Sequence, residues 1–76
     1  MVTVRIENDY SDGHHSERTV VVADPGRDLD EWFNDVVFNE TGDGHGADND
    51  LGSCYTATIV HASDGKLVGK SYEWTD

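Results

Sequence analysis

The sequence predicts an α+β domain of β-β-α-β-β order, a four-stranded antiparallel sheet with one helix packed on one face. Three observations lead there. Val2, Val4 and Ile6 alternate with Thr3, Arg5 and Glu7, the period-two pattern of a half-buried strand. Leu29, Trp32, Phe33, Val36 and Val37 recur at i, i+3, i+4, i+7 and i+8, one apolar stripe on a helix that turns about 100° per residue. Ser63-Asp64-Gly65-Lys66 separates two further strand-like stretches, and Gly65 suits the positive φ that hairpin turns require. A chain of 76 residues forms one domain, residues 1–76, with one small core and little room for a deep catalytic cleft.

The first strand is expected over Met1 to Glu7, where the alternation is unbroken. Asn8 to Ser16 is polar and turn-rich and reads as the connection. Arg18 to Ala23 returns as a second strand, whose three consecutive valines leave its inward face open. Pro25-Gly26 then breaks the strand, and Asp28 to Glu40 is the helix. Asp28 can cap the first amides, Glu31 stands in capping-box position, Asp30 complements the positive end of the dipole, and Gly42 stops the run.

Thr41 to Gly52 has no periodicity and is expected to be irregular. Ser53 to Ala62 is the third strand, with Tyr55, Ala57, Ile59 and His61 on one face, and Leu67 to Trp74 the fourth, with Val68, Tyr72 and Trp74 on one face. The core is expected to hold Val2, Val4, Ile6, Leu29, Trp32, Phe33, Val36, Val37, Tyr55, Ala57 and Ile59, with Val20, Val22 and part of the last strand. One helix covers one sheet face. The other, carrying Thr3, Arg5, Cys54, Thr56 and Thr58, must meet solvent or another subunit.

Sixteen Asp and Glu stand against five Lys and Arg, a formal charge of −11. Such a chain repels nucleic acid and anionic membrane, so neither is expected as a direct partner, whereas a cationic protein is attracted. Acidity also serves solubility alone, or reflects a saline or GC-rich source. There is no apolar run of membrane length and no basic-then-apolar leader, so a cytoplasmic protein is expected. The single Cys54 cannot form an internal disulfide.

Phe38 is the misfit of the helix. Nine residues after Leu29, it falls about 180° from the stripe on an ideal α-helix, beside Glu31, Asn34 and Asp35. These four residues form the expected partner-binding surface, with the aromatic ring as anchor. The alternative is that the helix ends early and Phe38 folds under the following loop.

The Thr41 to Gly52 loop admits three readings. Asp43, His45, Asp48 and Asp50 offer oxygen and imidazole donors for a divalent cation, calcium or magnesium through the carboxylates and zinc through the imidazole. Their spacing departs from the EF-hand pattern. Alternatively, Asp43, Gly44, His45 and Gly46 could bring backbone amides close to a small ligand, although the aspartates oppose a phosphate. The third reading is a connection that only reverses the chain.

His14 and His15 fall in the first connection and are expected in solvent, and His61 borders a strand. Cys54 and a histidine could pair as nucleophile and base, yet no nucleophile-elbow, Walker or CxxC pattern accompanies them, and neither an enzyme nor a cofactor is expected. Asp30, Glu31, Asp35, Asp43, Asp48 and Asp50 could also form an acidic stripe that imitates nucleic-acid phosphates and inhibits a DNA-binding protein.

TGDGHG at 41–46, LGSCYTATI at 51–59 and LVG with YEW at 67–74 resemble small acidic proteins encoded by actinobacteria and their phages. The resemblance covers about the second half of the chain and carries over no activity. It implies a phage or accessory origin, where such proteins act by binding and inhibiting a host component, including host-defence machinery. The leading expectation is thus a non-enzymatic protein that binds a host protein with a basic surface and forms a homodimer, through the outer helix face and the glycine-rich loop. A small-ligand or metal-binding module on Asp43 to Asp50 and a DNA-mimic inhibitor are the alternatives.

Overall fold

The computed structural model describes residues 1–42 and 52–75. Four strands, β1 (Val2–Tyr10), β2 (His15–Val22), β3 (Ser53–His61) and β4 (Ser71–Thr75), form one antiparallel sheet in the order β2-β1-β3-β4. One helix, residues 29–40, connects β2 to β3 and packs on one sheet face. The predicted α+β architecture is therefore present.

The core forms where the helix stripe meets the sheet. Trp32, Phe33 and Val37 pack against Val2, Val4, Ile6, Val22, Ala57 and Ile59, all buried. Leu29, Val36 and Val20 lie at its margin, half-buried. The Trp32 indole N–H donates to the Ala23 carbonyl at 2.9 Å, so the largest core side chain also fastens the helix to the strand before it. Asp28 caps as expected, accepting the Glu31 amide at 3.1 Å.

The first hairpin is longer than the apolar pattern suggested. β1 runs on through Asn8 and Asp9 to Tyr10, β2 begins at His15, and the connection shrinks to residues 11–14. The alternation continues in disguise. Asn8 and Tyr10 share the parity of Val2, Val4 and Ile6 and are both buried, with Asn8 satisfied by hydrogen bonds in place of an apolar contact.

The second hairpin departs the other way, because residues 67–70 do not join β4. Gly65–Leu67 forms a short 3-10 turn, Val68 is exposed, and the residue with positive φ is Gly69, at +96°, and not Gly65. Gly69 and Lys70 together oppose Ile59: the Gly69 amide donates to the Ile59 carbonyl at 2.8 Å and the Ile59 amide to the Lys70 carbonyl at 2.9 Å. That pairing is a bulge whose first residue must be left-handed, which glycine alone adopts without strain.

The helix is not a regular α-helix. After one α turn, Leu29–Trp32, residues Phe33–Val37 form a π turn, with the Phe38 amide bonded to the Phe33 carbonyl, and Phe38–Glu40 closes as a 3-10 turn. Asn34 and Asn39 donate side-chain amides to the carbonyls of Asp30 and Asp35, each at 2.8 Å, the local competition with the helix ladder that asparagine favours. A π turn holds one extra residue, which sets later side chains back by about 100°. Phe38 accordingly moves from the far side of the helix to its flank, over the sheet.

Candidate functional site

The chain's seven Phe, Trp and Tyr residues form one connected series of rings. Trp32 meets Phe33 at 4.9 Å between centroids, Phe33 stacks on Tyr72 at 5.4 Å, and Tyr72 touches Trp74 at 4.9 Å. Trp74 then meets Phe38 edge to face at 5.3 Å, Phe38 meets Tyr55 at 6.5 Å, and Tyr55 meets Tyr10 at 6.2 Å. The series begins in the core and ends at the first hairpin. Its middle is open to solvent: Phe38, Tyr55 and Trp74, with Ser53 and Thr75, line a cleft of about 480 Å³ between the end of the helix and the ends of β3 and β4.

Polar contacts hold the walls. Asn34 accepts the Trp74 indole N–H on Oδ1 at 2.9 Å while its Nδ2 donates to the Tyr72 hydroxyl at 3.3 Å and to Asp30 O. The indole's only donor is thereby used, and Trp74 offers the cleft an apolar surface. Behind Tyr55, buried Asn8 accepts the Gly42 amide at 2.9 Å and donates to Ser16 Oγ at 3.3 Å. Gly42 has φ +80°, and a Cβ there would lie 3.7 Å from the Tyr55 hydroxyl oxygen. On the other flank of residues 43–51, Ser11 and Gly52 are bonded twice, Ser11 N to Gly52 O at 2.9 Å and Gly52 N to Ser11 Oγ at 3.1 Å. Gly42 and Gly52 are thus both fastened to the first hairpin.

The four residues expected to bind a partner take different places around the helix. Phe38 is 43% exposed and lines the aromatic cleft. Glu31 and Asp35 border a second concavity of about 340 Å³, acidic through Asp24 and Asp28 as well, with Arg27 among them. Asn34 serves as the clamp on Trp74 and Tyr72 and lines neither. Asp43, Gly44, His45, Gly46, Asp48 and Asp50 lie outside the described residues. Among the described residues, no three His, Cys, Asp or Glu side chains are grouped to hold a metal ion.

On the face away from the helix, His15, Asp9 and Cys54 stand in one cross-strand row, with Thr75 beyond. His15 Nδ1 pairs with Asp9 Oδ1. That hydrogen bond and the Asp9 charge, aided by Glu17 and Glu7, raise the His15 pKa above its usual 6.5. Cys54 is half-buried and lies two strand spacings from His15, roughly 9–10 Å with β1 between them, too far for direct proton transfer.

The sequence carries a signal for Tyr55 and Trp74 in the parity of the large rings at Tyr55, Tyr72 and Trp74, but none for Ser53 or Thr75, and ring parity does not reveal that the π turn brings Phe38 over them.

Fold and cleft together define a small acidic α+β domain whose aromatic residues cluster beside a sheet edge. No protein-family model matches this chain, and no curated protein or solved structure is significantly similar to it. No helix among the described residues is long and apolar enough to cross a membrane.

Proposed function

We propose that this chain is a non-enzymatic interaction protein that binds a basic surface on another protein through the cleft of Phe38, Tyr55 and Trp74. The reading rests on Phe38, an aromatic ring left 43% exposed over two other rings in an open concavity. Exposed aromatics in such settings anchor interfaces, because they bury much area at little conformational cost. The charge of −11 favours a cationic partner and speeds its encounter. A phage or accessory origin, as implied by the resemblance of residues 41–46, 51–59 and 67–74, would make that partner a host component.

The test is peptide display selected on the full chain, with each recovered peptide measured again on Phe38→Ala. Enrichment of apolar residues flanked by Lys or Arg, with affinity about tenfold or more weaker on the variant, is expected. Recovery of no peptide above background, or of peptides indifferent to Phe38, would overturn the assignment.

A further inference from the structure

Among the described residues, the strand order leaves β4 with one neighbour, β3. The bond pattern at Ile59 fixes which way its backbone points. In an antiparallel pair, residues bonded to the neighbour alternate with residues that are not. Ile59 exchanges bonds with the Gly69–Lys70 bulge, so the next bonded pairs fall at Ala57 with Tyr72 and at Tyr55 with Trp74. Ser71, Glu73 and Thr75 therefore direct their N–H and C=O groups away from the sheet.

Edges of this kind are usually blunted by proline, lysine or a bulge. The bulge and Lys70 lie just before this strand, and Ser71–Thr75 itself contains neither proline nor lysine, its single charge being acidic. Trp74 and Thr75 also line the aromatic cleft, so the open backbone and the exposed rings adjoin. Successive residues of a strand added here would face opposite sides: one set beside Glu73 on the outer face, the other beside Trp74 on the helix face. The edge thus calls for alternating cationic and apolar residues.

A second copy of the chain fits poorly. It would bring another −11, and antiparallel pairing of two β4 strands about Glu73 would set carboxylate against carboxylate.

We infer that the outer edge of β4 receives an extended cationic segment of the partner as a fifth strand, with Lys or Arg opposite Glu73 and an apolar side chain opposite Trp74 entering the cleft. The inference rests on the cleft being a binding site and specifies how its partner docks. Backbone bonds to Ser71, Glu73 and Thr75 supply affinity, and the alternating side chains supply register.

The experiment titrates the ¹⁵N-labelled full chain with the acetylated, amidated peptide KVKFKV, and with versions N-methylated either on the lysines or on the apolar residues. Saturable binding that slows amide exchange at Ser71, Glu73 and Thr75 is expected. Lysine methylation should weaken it about two- to tenfold for each bond removed, whereas methylation of the apolar residues should change it less than about twofold. Glu73→Pro, which blocks the outward amide and spares the β3 ladder, should abolish binding in a chain that still melts cooperatively. Binding that shifts Phe38, Tyr55 and Trp74 resonances but leaves the edge amides exchanging and ignores lysine methylation would overturn strand addition while keeping the cleft. Failure of KVKFKV to bind, with display-selected peptides still dependent on Phe38, would also overturn it. Failure of both peptide sets would remove the cleft reading itself.

Discussion

Phe38 and Trp74 meet edge to face at 5.3 Å, bridging the end of the helix and the open edge strand, and their contact makes one wall of the cleft. Aromatic pairs contribute roughly 0.5–1.5 kcal/mol beyond their burial. Phe38 is 43% exposed and its loss should be partly relieved by solvent, so Phe38→Ala is expected to cost about 1 kcal/mol and leave the fold intact. Phe33→Ala, at a ring only 1% exposed, should cost about 3–5 kcal/mol. Urea melts of both variants check the contrast, and equal losses would place Phe38 in the core.

Asn34 is exposed yet holds Trp74 and Tyr72 together through Oδ1 and Nδ2. Asn34→Ala should destabilise the chain by about 0.5–1.5 kcal/mol and free the Trp74 ring. Emission should shift to the red and acrylamide quenching should rise, with Trp74→Phe identifying which indole responds. An unchanged spectrum would mean that the clamp does not hold in solution.

Much of this fold is legible in the sequence because burial sets its two periods. The helix stripe and the parity of β1 and β3 both follow from apolar residues that must face one core. Asn8 shows where that logic stops. A buried position filled by a hydrogen-bonded polar side chain looks like a turn, so β1 reads three residues short. The cleft is hidden for a related reason: Phe38 can be placed only if the helix period is known, and the π turn changes that period. Trp74 and Tyr55 come together with it only through the strand order, a long-range property that local pattern does not carry.

Asn8 is expected to be sensitive for the same reason. It is 1% exposed, and its Oδ1 is the acceptor for the Gly42 amide at the exit of the helix. Asn8→Ala leaves that amide without its acceptor, at a cost of about 1–3 kcal/mol. Amide exchange at Gly42 should quicken by more than global stability accounts for. A loss below about 0.5 kcal/mol would show that another group replaces the asparagine.

The two glycines of the second hairpin should respond differently to the same change. Gly69 has φ +96° and forms the bulge opposite Ile59, whereas Gly65 has an ordinary φ, and neither has an atom within 4 Å of a built Cβ. Space is therefore equal at both and backbone conformation alone differs. Gly69→Ala should lose about 1–2 kcal/mol and Gly65→Ala should be near neutral. Thermal melts decide it; a reversed order would move the left-handed residue to the position the turn sequence first suggested.

The pairing of His15 with Asp9 should make the first hairpin pH-dependent. The folded-state pKa of His15 is raised above 6.5, principally by its hydrogen bond to Asp9 and then by the Asp9 charge. A raised folded pKa means that the folded state holds the proton more tightly than the unfolded chain does. The stabilisation is therefore complete below the unfolded value and fades as pH rises through the folded one. Melting curves of wild type and His15→Gln should differ most near pH 5.5, roughly a unit below the usual histidine pKa, and converge on the alkaline side. Because the pair is exposed, salt should shrink the difference. An NMR titration of the His15 ring with its midpoint above 6.5 completes the test, whereas a midpoint at or below that value would show that Asp9 does not hold the imidazolium.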